Sequence, residues 1–383
     1  MGNGKITSVQ MMLLLYATVT PTAILLVPQA TAQHAKQDMW LSPLWASVIG
    51  FLTIYVVVEL HRLYPNKTLI EYSVDIAGTF FGKMIGLMFI LVHIHGAGLV
   101  IRAYGEFIVG HFLFHTPLSF VMGTMVFVCA VAVRSGMEVL GWLAKIFVPL
   151  TVVWFVIIVL LLFPDMDGKN MLPVFEKGLW PSIKGSIVPQ GWFSQCVLAA
   201  FFLPYLLDQR NGRKWGHIAV ACIAVTLLIT NVTALFVLGN VVEDFIYPVM
   251  TAARYISVAG FLEHVEVIIM AIWVAGAFLK IAVFYYAVVL SLAQWLRMDE
   301  YKPLVFAVGF FLFFVSIWSA RDVMELGRFV GTANAFYIMF TDTAIPLLLL
   351  LMAKWRKRSV FRVTAAQGKK EHHDQTGEKG GQP

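Results

Sequence analysis

The chain has 383 residues, of which 59% are hydrophobic and 13% charged, with a mean hydropathy of +0.79 and a formal net charge of +6. A soluble domain cannot hide that much apolar surface, so lipid must be the solvent for most of the chain. The apolar runs are about 20 residues long, the length of a spanning helix rather than of a barrel strand, which makes this an all-α polytopic membrane protein.

Ten spans are expected, at 6–32, 41–61, 80–108, 116–134, 141–163, 187–207, 215–239, 260–293, 303–319 and 335–353. They form one membrane domain over 1–358, with two five-span halves at 6–163 and 187–353 as inverted repeats. Lys5 is a weak n-region and no cleavage site follows the first run, so no cleavable signal peptide is expected. The tail 359–383 is polar and is expected to be a disordered cytoplasmic segment. Segments 164–190 and 243–259 mix prolines with amphipathic pieces and read as interfacial elements.

An even span count puts both termini on one side of the membrane. The loops of that side carry Lys5, Arg62, Lys67, Lys83, Arg134, Lys145, Arg210, Arg213, Lys214, Arg297, Lys302 and the cluster Lys354, Arg356, Lys357, Arg358 and Arg362. The other side carries fewer, namely Lys36, Lys169, Lys177, Lys184, Arg254, Arg321 and Arg328. Both termini are therefore expected to be cytoplasmic. The positive balance belongs to this topology and does not signal nucleic acid. Cys129, Cys196 and Cys222 all lie in apolar runs and read as core residues, without a disulfide or zinc pattern.

Span 1 carries Pro21 near its middle, flanked by Thr18, Thr20 and Thr22. A proline removes one backbone hydrogen bond and crowds the preceding turn. One reading is a kink repaired by threonine hydroxyls; the other is a broken helix whose freed carbonyls meet a ligand. Span 6 enters through Gly185, Pro189 and Gly191, with Gln190, Ser194 and Gln195 as polar partners, and meets Pro204 later. Interrupted helices at corresponding positions of two halves point to a midplane substrate site.

In span 3, Arg102 and Glu106 are four residues apart and form a structural ion pair on the helix. Gly96 and Gly98 allow close approach of another helix, and this face is a candidate cavity wall. His93 and His95 point apart on a helix, which argues against a metal site, and no metal or cofactor is expected. In span 8, Trp273, Gly276 and Lys280 share a face with Glu266 and Ala277. Lys280 lies too deep to reach the outer headgroups, so it either snorkels inward or is a fixed or titrating cation beside span 1. Glu59, Glu243, Asp244, Glu263 and Asp342 read as solvated helix ends, Asp342 being the one inside an apolar run.

These residues carry a family resemblance. The ten-span layout, the opening ITSVQMMLLLYATVTPTAILLVP and the span 8 segment (Tyr247-Pro248, Arg254, Phe261-Leu262-Glu263, Ile272-Trp273, Lys280) resemble the spore germination permeases over about residues 5–358. This family comprises the B subunits of nutrient germinant receptors and is similar to the amino acid–polyamine–organocation transporters. The resemblance implies a LeuT-type fold with helices 1 and 6 broken. It implies a small nutrient, often an amino acid, bound between spans 1 and 6 and closed in by spans 3 and 8. It also implies an A subunit and a lipoprotein C subunit as partners in the spore inner membrane, and no enzymatic activity.

Two departures matter. Amino acid transporters of this superfamily break span 1 with a glycine-rich turn that holds a carboxylate, whereas Thr20-Pro21-Thr22 stands here and proline donates no N–H. In sodium-coupled relatives a sodium lies between spans 1 and 8, where Lys280 would stand in for it; that favours proton coupling or none. The competing readings are a proton-coupled or facilitative amino acid transporter, a water or ion pore, and an intramembrane enzyme with a histidine base. The last lacks a partner residue at suitable spacing.

Overall fold

At membrane depth no water is available to bond the backbone, so a crossing segment must satisfy its own N–H and C=O groups. The computed structural model describes residues 4–254 and 265–356, without the side chains of 265–269, and is helical almost throughout. The one bridge among the described residues joins Ile6 to Leu206, where Ile6 N donates to Tyr205 O and Leu207 N to Ile6 O, both at 3.0 Å.

The first half contains α1 (Ser8–Ala35), α2 (Ser42–Leu63), the short α3 (Leu69–Ala77), α4 (Thr79–His111), α5 (Leu118–Ser135) and α6 (Met137–Leu162). Next come α7 (Trp180–Gly185), α8 (Ile187–Ser194), α9 (Ala199–Phe202), α10 (Gly212–Leu238) and α11 (Pro248–Ala253). The chain ends with α12 (Val265–Trp295), α13 (Val305–Trp318), α14 (Val323–Val330) and α15 (Ala333–Met339). Helix α15 passes through a π turn, Phe340–Ala344, into a helical segment reaching Arg356.

Eight segments of the described residues are long and apolar enough to cross a membrane, or nine if α13 and α14, bent by 99°, count as one. The first of them, Ser8–Leu63, crosses twice. Tyr16 bonds Thr226 and Asn231 bonds Thr31, so α1 runs alongside α10 in the same direction. Gly50 packs on Val220 and Gly216 on Ile54, so α2 runs against α10. Dividing this hairpin gives nine candidate spans among the described residues, or ten with the bent pair, by length and composition.

Span 1 is not broken. Helix α1 is continuous through Pro21 and Pro28. The hydroxyls of Thr18 and Thr20 donate to the carbonyls of Leu14 and Tyr16 at 2.7 and 2.9 Å, one turn back. Glycine at 276 leaves room for the Pro21 ring, whose Cγ would lie 2.8 Å from an added Cβ. The proline therefore nests against α12 and the helix carries on. Span 6 does loosen, but deeper than Gly185, Pro189 and Gly191. After α8 the chain tightens into a 3-10 turn at Gln195–Leu198, and after α9 into another at Leu203–Tyr205, which holds Pro204.

Of the two interfacial segments, 164–190 folds as two 3-10 turns and α7, and 243–259 contributes α11. Helix α3 was not expected from hydropathy. Its start is a reciprocal cap in which Glu71 accepts from the Thr68 backbone N–H at 2.9 Å. Residues 261–263, the Glu266 side chain and the tail from 357, including Lys357, Arg358 and Arg362, lie outside the described residues.

The bend after α13 leaves carbonyls without helical partners. Arg102 on α4 supplies them: Nη1 donates to Ile317 O at 3.2 Å and Nη2 to Arg321 O at 2.6 Å, while Nε donates to Glu106 at 2.8 Å. Arg102 is thus more than half of an ion pair; it closes the broken end of another helix. Arg102→Lys keeps the charge but cannot reach all three acceptors. It should lower unfolding stability in detergent by about 1–3 kcal/mol, the cost of an orphaned buried acceptor. Glu106→Gln should cost less, and thermal unfolding of the two variants compares them directly.

Candidate functional site

Lys280 is fully enclosed, at 1% exposure. Its Nζ donates to Thr22 Oγ1 at 2.8 Å and to Gln195 Oε1 at 3.0 Å, so it ties α12 to α1 and to the tightened turn of span 6. Trp192 Nε1 donates to the same Thr22 oxygen at 2.9 Å. A hydroxyl offers two acceptor positions, and both are taken. No carboxylate lies within ion-pairing distance of this ammonium among the described residues. Neutral dipoles and the Phe284 ring, whose centre is 5.6 Å from Nζ, stabilise the charge instead. An ammonium has three N–H bonds. Thr22 and Gln195 take two, which leaves one for the ring or for a ligand.

Lys280, Thr22 and Gln195 form part of the wall of a narrow cavity of about 60 Å³. Gly96 of α4 also lines it, and an added Cβ there would lie 3.4 Å from Phe284. Leu326 and Val330 of α14 form the far side. Asn334 also reaches the cavity, and its buried Oδ1 has no hydrogen-bond donor. The cavity thus presents a cationic donor and a free acceptor between apolar walls.

A second, more apolar cavity of about 70 Å³ lies across α1, lined by Thr20, Pro21, Ile158, Thr230, Trp273 and Gly276. Trp273 stacks on Tyr104 with centroids 5.6 Å apart and meets Phe107 at 4.3 Å.

A family model for "Spore germination protein" matches residues 5–323. The chain belongs to the spore germination protein family. Spore germination protein KB of Bacillus subtilis (strain 168) is 24% identical over 378 residues, covering 97% of this chain and 100% of that protein. Spore germination protein YndE of the same strain is 25% identical over 360 residues, covering 92% and 98%. Among solved structures, MhsT in complex with L-phenylalanine superposes with a TM-score of 0.68 at 12% identity, over 92% of this chain and 99% of that one. A Na+-coupled sialic acid symporter gives 0.63 at 14%, over 89% and 80%. The fold of this spore germination protein is therefore the LeuT-type transporter fold.

The structure divides the residues singled out in the sequence. Thr22, Gly96, Gln195 and Lys280 meet at the first cavity; Thr20, Pro21, Trp273 and Gly276 line the second. The turn of α1 at Pro21 and Thr22 is the partition. Thr18 faces its own helix, and Gly98 packs on Val315 and Ser316 of α13. Gln190 donates to Ser186, Ser194 to the carbonyl of Gly191, and Gly191 packs on the Ala335 backbone. These five line neither cavity. Asn334 escaped sequence reasoning because it sits after the bend, at the start of a span, where a polar residue reads as solvated.

Thr22→Val removes the acceptor shared by Lys280 and Trp192, whereas Thr20→Val removes only a bond within one turn. Hydrogen bonds to charged groups contribute about 1.5–3 kcal/mol. Thr22→Val should therefore lower thermal stability by at least that range, and Thr20→Val by well under 1 kcal/mol.

Proposed function

We propose that this spore germination protein is the membrane subunit of a germinant receptor that binds a small nutrient, an amino acid, in the Lys280 cavity. The observation that carries this reading is the pairing of a buried cationic donor with the free Asn334 oxygen in one cavity. An amino acid zwitterion has the complementary pair, a carboxylate for Lys280 and an ammonium for Asn334. Lys280 thus offers a carboxylate partner that α1, continuous through Pro21, does not offer from its backbone. In MhsT, a relative in fold, the bound molecule is L-phenylalanine. The receptor would sit in the spore inner membrane with cytoplasmic termini, and an A subunit and a lipoprotein C subunit would read the occupancy of the site.

The second reading is a proton-coupled or facilitative amino acid transporter, favoured by likeness to a symporter over 89% of the chain. Uptake of labelled amino acids into proteoliposomes containing this protein alone separates the two. Accumulation that collapses with an imposed proton gradient identifies a transporter. A rapid signal, insensitive to the gradient and saturating at one ligand per protein, identifies a receptor. In spores, Lys280→Met should abolish the response to germinant while the protein remains inserted and assembled; normal germination of that mutant would remove Lys280 from the site. Gly191→Leu should alter the dose–response through displacement of Ala335, since Gly191 itself does not reach the cavity.

A further inference from the structure

Spans 3 and 10 meet at a buried polar pair that the cavity does not use. His93 on α4 and Asp342 in the π turn are each 1% exposed, with Nε2 and Oδ2 3.6 Å apart. His93 Nδ1 lies 3.0 Å from the carbonyl oxygen of Phe89, one turn back. A carbonyl can only accept, so Nδ1 carries the hydrogen and, in a neutral ring, Nε2 is a bare lone pair. That lone pair faces Asp342, neither of whose carboxyl oxygens has a hydrogen-bond partner among the described residues. A carboxylate opposite a lone pair at membrane depth is both repelled and unpaired.

One proton removes the conflict. Bound to Oδ2, it makes a neutral acid that donates to Nε2. Bound to Nε2, it makes an imidazolium beside a carboxylate. In both forms the pair carries the same proton and no net charge. We propose that His93 and Asp342 together form a binding site for a single exchangeable proton, and that its occupancy fastens span 3 to span 10.

The surroundings fix Asp342 without engaging its carboxyl. Thr341 Oγ1 donates to Tyr337 O at 2.9 Å, and the hydroxyls of Thr343 and Thr53 of α2 lie 2.7 Å apart. A π turn adds one residue to a helical turn and commonly marks a functional position; here it places Asp342 on the face toward α4. The elements packed around the pair bring other titratable groups: besides those named next, α2 carries Tyr55, Glu59, His61 and Arg62, α4 carries Lys83, Arg102, Tyr104, Glu106 and His111, and α12 carries Tyr285 and Tyr286. Helix α4 also brings His95, bonded to the Tyr337 hydroxyl of α15 at 3.0 Å. The turn at Gln195–Leu198 brings Cys196, and α12 brings Lys280. Helix α2 presents Thr53. The Phe284 ring lies 5.6 Å from both the Lys280 Nζ and the His93 ring, so the proton site and the cavity share one aromatic side chain.

The test is infrared spectroscopy of the full-length protein in lipid membranes across a pH titration, in H₂O and D₂O. Among the steps of its 22 acidic residues, the wild type should show a deuteration-sensitive carboxyl step that belongs to this pair. Asp342→Asn and His93→Gln should each remove that same step, or move its midpoint by at least about one pH unit, a tenfold change in proton affinity. If the step survives unchanged in both variants, or the two variants affect different steps, the shared-proton site is wrong. Should Asp342→Asn fail to fold, His93→Gln decides alone, because glutamine still packs there but cannot take a proton. Replacing sodium chloride with choline chloride should leave the midpoint in place; a sodium-dependent shift would overturn the proposal in favour of a metal cation.

Discussion

An ammonium group buried among neutral partners sets the terms for the centre of this protein. Water would solvate Lys280 far better than lipid does, and among the described residues no carboxylate stands beside it to offset the loss. The side chain is tolerable there only because Thr22, Gln195 and Phe284 converge on it from three separate spans. Each of those spans is shaped accordingly. Helix α1 stays continuous at the height of Thr22, span 6 tightens at Gln195, and α12 presents Gly276 four residues ahead of the lysine so that α1 can come close. Moving any one of them would leave the charge exposed to hydrocarbon.

The rest of the architecture follows from the same scarcity of partners. Where a helix bends or ends within the membrane, a side chain from elsewhere completes the bonding. Arg102 does so for the carbonyls at the end of α13, and Asn231 reaches Thr31 and the Met39 carbonyl from α10. The prolines are accommodated rather than used as breaks. Pro21 rests against a glycine, and Thr18 and Thr20 bond carbonyls of their own helix.

Much of the fold is legible in the sequence because hydropathy reports directly on lipid contact. The spans lie close to where apolar runs place them, and the depth of Lys280 in its run marks it as unable to meet solvent on the outer side. What pairs with what is harder to read. Three threonines flank Pro21 at similar depth, yet only Thr22 reaches Lys280, because the rotation of α1 is set by packing against α10 and α12. His93 and Asp342 stand 249 residues apart, and Asp342 comes into register only through a π turn that no residue pattern announces. The division of the candidate residues between two cavities is likewise a product of helix rotation. Gly191 reads as a breaker of span 6, yet like Gly98 and Gly276 it serves as a close-contact point between helices.

Lys280 also has an electrical consequence. While protonated, it is a positive charge inside the hydrocarbon layer and feels the transmembrane potential, worth about 2.3 kcal/mol per elementary charge per 100 mV over the full field. If a conformational step carried the ammonium through a tenth of that field, 100 mV would bias the step by about 0.2 kcal/mol. Small as that is, such a step would make the protein a weak voltmeter. Energising or discharging the membrane would shift the balance of its states even with the ligand concentration held constant.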